Sequence, residues 1–284
     1  MKVYDILIAL SVPILLGFGF VIAKPAMQYF PPYLLMGLRF TIPALILVWF
    51  FPVPKGLFVD LFKVSFIGST LQYGLTYTGL NIIDASSAIL LIQLEVPFGI
   101  IIAFFLLKEI PSIKNVVGLV IAFIGVFILT GAPNLEGKFI GVLLTLAGAF
   151  TWSLGAVMAK PLTKKIGAFA LMTWLCVFSG PLLILISIIF NGNPVQYIFS
   201  ANINSWFTVI YLALFMQPIA YGAWYYVLSR YPVNKVMPVL LLLPVIGLIT
   251  AIFLLGEDPP KQVFLGGTII VFGVGVILFG KKNK

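Results

Sequence analysis

Glu95 is an acid set deep in an unbroken apolar stretch, Ala85 to Leu107, with about 15 Å of helix toward either end at 1.5 Å per residue. A carboxyl group at that depth defaults to function: it can hold a substrate ammonium or exchange a coupling proton. The structural alternative is an ion pair with Arg39 or Lys24. Tyr73 and Tyr77 stand at i and i+4, and Tyr221 and Tyr225 repeat that spacing with Gln217 one turn earlier. Their rings and hydroxyls suit a small zwitterion with an apolar part, and such stripes also arise from packing alone. Trp152 and Trp224 are further candidate cavity liners, whereas Trp49 and Trp206 fall at span ends and read as interfacial anchors.

Backbone acceptors add to this set. Pro97 cannot donate an amide proton to the carbonyl of Gln93, nor Pro218 to Leu214, nor Pro244 to Leu240. A freed carbonyl at membrane depth is tolerated beside a cavity, and a packing kink is the equal alternative. Lys24 and Lys160 each precede a proline near opposite faces. Either one could meet a substrate carboxylate at a gate or simply snorkel to the interface. Arg39 lies deeper and cannot discharge, so it should pair with an acid or a carbonyl. Glu109 and Glu257, each two residues before a proline, read as loop structure, and Ser86 and Ser87 as the start of a helix.

Composition names the solvent that the supporting elements must face. Of 284 residues, 62% are hydrophobic and 9% charged, against roughly 25% charged in soluble proteins. A soluble fold could not cover its surface. Apolar segments of about 20 residues recur, each long enough to cross roughly 30 Å of hydrocarbon. Ten are expected, near 6–29, 33–51, 61–80, 85–107, 114–130, 139–160, 168–190, 203–228, 233–255 and 262–280, an all-α polytopic membrane protein of ten transmembrane helices. The first reads as a retained span, since no small-residue cleavage pattern follows it. With no histidine and the single Cys176, a disulfide framework, a zinc or haem site and a histidine-based triad are all disfavoured, and no cofactor is expected. An intramembrane hydrolase would lack its activating base. There is no Walker motif for an ATP motor.

The formal charge of +9 forms no dense stripe, so nucleic acid is not an expected partner. It reads instead as orientation. Placing the N-terminus inside puts thirteen of the seventeen basic residues on the cytoplasmic face and leaves Lys24, Lys138 and Lys261 outside and Arg39 within a span. Both termini are thus expected in the cytoplasm, in a multi-pass protein of the cell membrane whose surroundings are the lipid bilayer.

The chain also repeats. A displacement of 148 residues carries Tyr73, Gly74, Tyr77 and Leu80 onto Tyr221, Gly222, Tyr225 and Leu228. The same register carries Gly99, Leu106, Leu107, Glu109, Pro111, Gly118 and Gly125 onto Gly247, Leu254, Leu255, Glu257, Pro259, Gly266 and Gly273. At a spacing of 136, Gly19, Val21, Ala23, Lys24 and Pro25 match Gly155, Val157, Ala159, Lys160 and Pro161. The halves are about 1–131 and 137–284, with five spans each. An odd number means that the second half enters from the opposite side, giving two inverted five-helix repeats that can rock about a midplane site.

In order along the chain, Gly17 to Lys24, Gly37-Leu38-Arg39-Phe40, Gln72, Gln93, Leu107 to Glu109, Tyr221-Gly222, Arg230-Tyr231 and Pro244 to Gly247 resemble the EamA family of the drug/metabolite transporter superfamily. The likeness covers nearly the whole chain and is nearest to the O-acetylserine/cysteine exporters. It implies two EamA-type repeats and a ten-helix transporter that exports amino acids or related metabolites, with Gln72 and Gln93 among its substrate-binding residues. This sequence departs from the pattern at Leu16, where members commonly carry Trp, and at Glu95, where those exporters carry an amide.

The expected function is therefore secondary export of a small molecule, an amino acid or metabolite, by alternating access, with Glu95 as a proton-coupling group. A nucleotide-sugar or phosphorylated-sugar exchanger would instead gather Lys24, Arg39 or Lys160 into a basic cluster. A membrane scaffold or lipid-sensing protein would lack a central cavity. The sequence does not choose between a monomer and a homodimer.

Overall fold

The computed structural model describes residues 3–108, 110–230, 239–240 and 242–279, with several side chains inside helices, Lys160 and Tyr225 among them, outside the description. Every regular element among the described residues is helical. In chain order they are α1 (Val3–Ala26), α2 (Pro32–Leu47), α3 (Phe58–Ser65), α4 (Gln72–Ile82), α5 (Ala85–Leu91), α6 (Glu95–Leu107), α7 (Ile113–Thr130) and α8 (Phe139–Ile166). The remainder are α9 (Ala168–Asn191), α10 (Pro194–Ser200), α11 (Ile203–Ile210), α12 (Tyr221–Arg230), α13 (Leu242–Leu255) and α14 (Lys261–Phe279).

Local chemistry sets the breaks. A wide π turn over Phe66–Leu71 joins α3 to α4, a 3-10 turn over Ile92–Leu94 joins α5 to α6, and a second π stretch over Tyr211–Ala220 joins α11 to α12. The last two coincide with Pro97 and Pro218, each of which withholds an amide from the preceding turn. Pro244 is the third described residue of α13, and residue 241, between it and the 3-10 residues 239 and 240, lies outside the described residues. Ser112, Asn193 and Asn202 cap α7, α10 and α11 through their side-chain oxygens.

Among the described residues, seven helices are long and apolar enough to cross a bilayer, namely Val3–Ala26, Pro32–Phe50, Ala85–Leu106, Ile113–Thr130, Phe139–Ala159, Ala168–Asn191 and Ile203–Trp224. Leu242–Leu255 and Lys261–Ile277 are shorter apolar helices. Large apolar side chains cover the outside, Phe127, Phe199 and Phe253 among them, while Arg39, Gln72 and Gln217 are buried. This inside-out distribution fits a hydrocarbon solvent.

Helices that face lipid gain nothing by hiding apolar area, so they associate through close contact. The principal pairs are α7 with α14, α2 with α9, α4 with α8, α1 with α13, and α6 with α8; α1 also packs along α11 to α12. Glycine makes the approach possible. A Cβ at Gly125 would lie 2.7 Å from the carbonyl oxygen of Gly266, and one at Gly118 would lie 2.6 Å from that of Gly273. Gly125→Ile should therefore cost about 1–3 kcal/mol through overpacking. Gly99→Ala, with nothing within 4 Å of its new methyl, should be neutral or stabilising. Thermal melting of the two variants in detergent checks the contrast.

Candidate functional site

Arg39, on the face of α2 that turns inward, has no exposed surface. Its Nη1 donates to the Tyr77 hydroxyl at 3.2 Å, and its Nη2 donates to the Tyr73 hydroxyl at 3.3 Å and to Gln217 Oε1 at 3.0 Å. The guanidinium carbon stands 4.5 Å over the Tyr73 ring. Helices α2 and α4 and the π stretch thus meet at one cation. The expected carbonyl partner is found in the Gln217 amide; no described acid pairs with Arg39. Tyr73 carries the network onward, its hydroxyl 2.8 Å from that of Tyr221.

Beside this network lies a cavity of ≈ 100 Å³ walled by Tyr73, Gln217, Tyr221, Trp152 and Trp224, with Phe40, Met172 and Leu175 supplying apolar surface. A second cavity of ≈ 250 Å³, lined by Asp60, Lys63, Pro161 and Lys165, shares Val64 with the first. Together they follow the seam of α3 and α4 against α8 from a charged mouth to the Arg39 network. Gly68 and Gly155 line the inner cavity, and a Cβ on Gly68 would lie 2.8 Å from the Gly155 Cα. The seam stays narrow because neither residue has a side chain.

Of the residues expected to bind a substrate, five therefore surround the cavity. Tyr77 is placed behind it, fully buried, bonded to Arg39 and edge-on to Phe20. Gln72 is buried and donates to Thr76 at 3.3 Å. Gln93 is buried in the 3-10 turn. Glu95, half-buried, pairs with neither Arg39 nor Lys24, and its carboxyl makes no hydrogen bond or ion pair among the described residues; its backbone carbonyl accepts from Ser153 Oγ at 2.7 Å. The side chains of Tyr225 and Lys160 lie outside the described residues. Ser69, Gly68 and Gly155 were not expected to line a site; Gly155 carried a signal as the repeat partner of Gly19, Gly68 and Ser69 none.

Lys24 belongs to a separate network at the other end of the bundle. Its Nζ approaches Asp84 at 3.7 Å and Glu257 at 3.8 Å and donates to the Ile83 carbonyl. Lys138 adds a contact to Asp84 at 3.8 Å, and Asn134 also donates to that carboxylate. Glu257 is more than loop structure: its two oxygens accept from the amides of Ala85 and Ser86 at 2.8 and 3.0 Å, capping the α5 start that Ser86 and Ser87 marked. Asp84, Lys138 and Asn134 had no sequence signal. Their partners are far along the chain. Glu109 lies outside the described residues.

Several known proteins resemble this one over nearly their full length. One from Salmonella typhimurium (strain LT2) is 29% identical over 99% of this chain and 96% of its own, and is called a probable amino-acid metabolite efflux pump. One from Escherichia coli (strain K12) carries the same description, at 29% identity over 98% and 96%. YetK of Bacillus subtilis (strain 168), an uncharacterized transporter, is 29% identical over 95% and 85%. A solved crystal structure shares the fold with a TM-score of 0.67 at 20% identity, covering 97% of this chain and 96% of that one. The apolar helical bundle and these relatives define a multi-pass membrane transporter, not an enzyme. The model of the EamA-like transporter family matches residues 4–131 and again 139–279, and the chain belongs to that family.

Tyr73→Phe should remove an acceptor from a buried cation and a partner from Tyr221, costing about 1–3 kcal/mol. Tyr33→Phe, away from Arg39, should cost less than half as much. Unfolding in detergent, followed by the reaction of the fully buried Cys176 with a maleimide, reads both.

Proposed function

We propose that the protein is a secondary exporter of amino acids or related small metabolites across the cell membrane, built as ten membrane-crossing helices in two inverted repeats and working by alternating access. One observation carries the reading: Tyr73 and Tyr221, 148 residues apart and equivalent in the sequence repeat, touch hydroxyl to hydroxyl beside the cavity. Equivalent residues of two halves meet only near the axis relating the halves, and a midplane site on that axis is what rocking halves expose to each side in turn.

Other contacts support the same symmetry. Gly118 packs on Gly273 and Gly125 on Gly266, and the repeat exchanges those two contacts. Gly155 meets Gly68 where Gly19 meets Met216, again equivalent pairs. Lys108 and Gly256, equivalent in sequence, both end a helix in the left-handed region, at φ 57 and 66. The family model's two matches divide the chain in the same place. The amino-acid reading draws on the descriptions of the Salmonella and Escherichia relatives. A basic cluster for phosphorylated sugars finds no support, since Lys24 and Arg39 sit in separate networks.

With the termini in the cytoplasm, the charged mouth at Lys63 and Lys165 faces inward and the Lys24–Asp84–Glu257 network closes the outer end. The network ties α1 and the α4–α5 link to the α13–α14 link, so opening outward has to part it. Glu95, which spends its carboxyl on no described partner, is the proton-coupling group and the site for a substrate ammonium.

Cells with the protein should release amino acids or close metabolites that cells without it retain; an unchanged extracellular profile across that screen rejects the export reading. In proteoliposomes, Glu95→Gln should flatten the dependence of transport on pH, and an unchanged pH profile rejects the coupling role. Breaking a partly buried ion pair costs about 1 kcal/mol, a factor of about five in population. In a Cys176→Ser background, Lys24→Met should accordingly raise the labelling of a cysteine placed at Ile83 by an external, impermeant maleimide about fivefold. Equal labelling with and without Lys24 rejects the outer closure.

A further inference from the structure

We infer that the charged mouth between α3 and α8 is an entry site that takes an amino acid as a zwitterion, its carboxylate on Lys63 and Lys165 and its ammonium on Asp60; the inference deepens the exporter reading and rests on it for the direction of flow. Asp60 and Lys63 stand one turn apart on α3, and Lys165 reaches the same cavity of ≈ 250 Å³ from the last turn of α8. Helix dipoles explain why an acid opens α3 and lysines close α3 and α8, but that account holds for side chains pointing anywhere around the axis. Here all three line one space between two helices. None of them forms an ion pair or a side-chain hydrogen bond among the described residues. At the other end of the bundle, Lys24, Asp84, Lys138 and Glu257 are spent on one another. The mouth keeps two cations and one anion open to a ligand arriving from water.

The floor of the mouth is of a different kind. Val64 and Leu162 are buried in one packed cluster with Leu61, Leu171 and Trp174, and Met158 lies against it. A charged rim over a fixed apolar floor is complementary to a molecule that carries two opposite charges on one carbon and an apolar side chain beside them. Two lysines alone would suit any anion. Asp60 beside them repels a pure anion such as phosphate and favours a ligand that brings its own cation. Val64 also lines the inner cavity, so the floor continues into the seam that leads to Tyr73. The three charged side chains are exposed, so water and salt weaken each contact. Capture is therefore loose, which suits a site that hands its cargo on.

The test uses the full chain carrying Cys176→Ser and Met158→Cys, purified in detergent, and the rate at which a methanethiosulfonate reagent labels the cysteine in the mouth. A ligand seated there slows the labelling. The probes are L-leucine, L-leucinamide, which lacks the carboxylate, and isocaproic acid, which lacks the ammonium, with glycerophosphoethanolamine and inorganic phosphate beside them. L-Leucine should protect at concentrations about fivefold or more below those that either analogue needs, the scale of one partly screened charge contact. Asp60→Asn should bring leucine to the level of isocaproic acid, and Lys63→Gln with Lys165→Gln should bring it to the level of the amide. These side chains are exposed, so the variants should melt as the parent does, and the comparison of probes on the parent stands even where a variant fails to fold. Leucine that protects no better than its amide or its deaminated acid overturns the inference. Glycerophosphoethanolamine that protects better than leucine assigns the mouth to a lipid headgroup and overturns it, and phosphate that does so makes it an anion site and overturns it too. Absence of protection by every probe overturns the entry site alone where the cells still release amino acids. Protection by leucine in a protein whose cells release nothing overturns the exporter reading and the entry role together.

Discussion

A permanent positive charge in the middle of a lipid-facing bundle has to be shared out among neutral partners, and the surroundings of Arg39 are arranged by that need. Two helical segments converge on it with three oxygen acceptors, two phenols from α4 and an amide from the π stretch. Each acceptor is itself tied to something else: Tyr73 to Tyr221, Tyr77 to the edge of Phe20, and the π stretch to α1 and α2 by packing. The cation therefore fixes the distance between the halves at the point where the cavity forms. In water the same contacts would count for little, because solvent would compete for every one of them. In a dry interior an unmade hydrogen bond to a charge is expensive, so the network is all or nothing.

The close helix crossings serve that convergence. Side-chain-free positions at Gly68, Gly118, Gly125, Gly155 and Gly273 let backbones approach until carbonyl and Cα atoms touch. Such surfaces can slide or rock with little change in area, whereas interlocked large side chains would have to disengage. The network around Lys24 has the opposite character. Its ion pairs and the two bonds from Glu257 to the start of α5 form one discrete arrangement, suited to being made or broken as a unit.

Much of this was legible in the sequence where a feature is local or repeated. Helical class follows from composition, and the 3-10 turn before α6 follows from Pro97. The value of Tyr73 and Tyr221 follows from their equivalence in the repeat. Pairing across the chain was not legible. Nothing near Asp84 or Lys138 in sequence announces that they meet, and Glu257 looks like loop chemistry until the α5 amides are seen above it. Arg39 was visible as a problem, a cation at depth, but its answer lay in two tyrosines and a glutamine from other helices, with no acid among them. Tyr77, chosen for its spacing from Tyr73, sits on the same face of α4 yet spends its hydroxyl on Arg39 behind the cavity wall.

The places where the two halves fail to match are as telling as those where they agree. The crossing that sets Ser153 on the carbonyl of Glu95 corresponds to one in which Gly17 approaches the carbonyl of Leu243, so the backbone geometry is kept and only the side chains differ. Gln217 corresponds in the 148-residue register to Ser69, and both line the cavity, one bonded to Arg39 and the other short of it. A symmetric scaffold supplies two equivalent ways of closing, while a cargo with distinct ends needs a site with distinct ends. In this chain glycines and helix ends are kept equivalent while a handful of polar positions diverge. An acid then stands where the other half has leucine, and an amide where it has serine. Asymmetry of charge within a repeated frame is what the exporter proposed above would need to prefer one orientation of a zwitterion while its halves move.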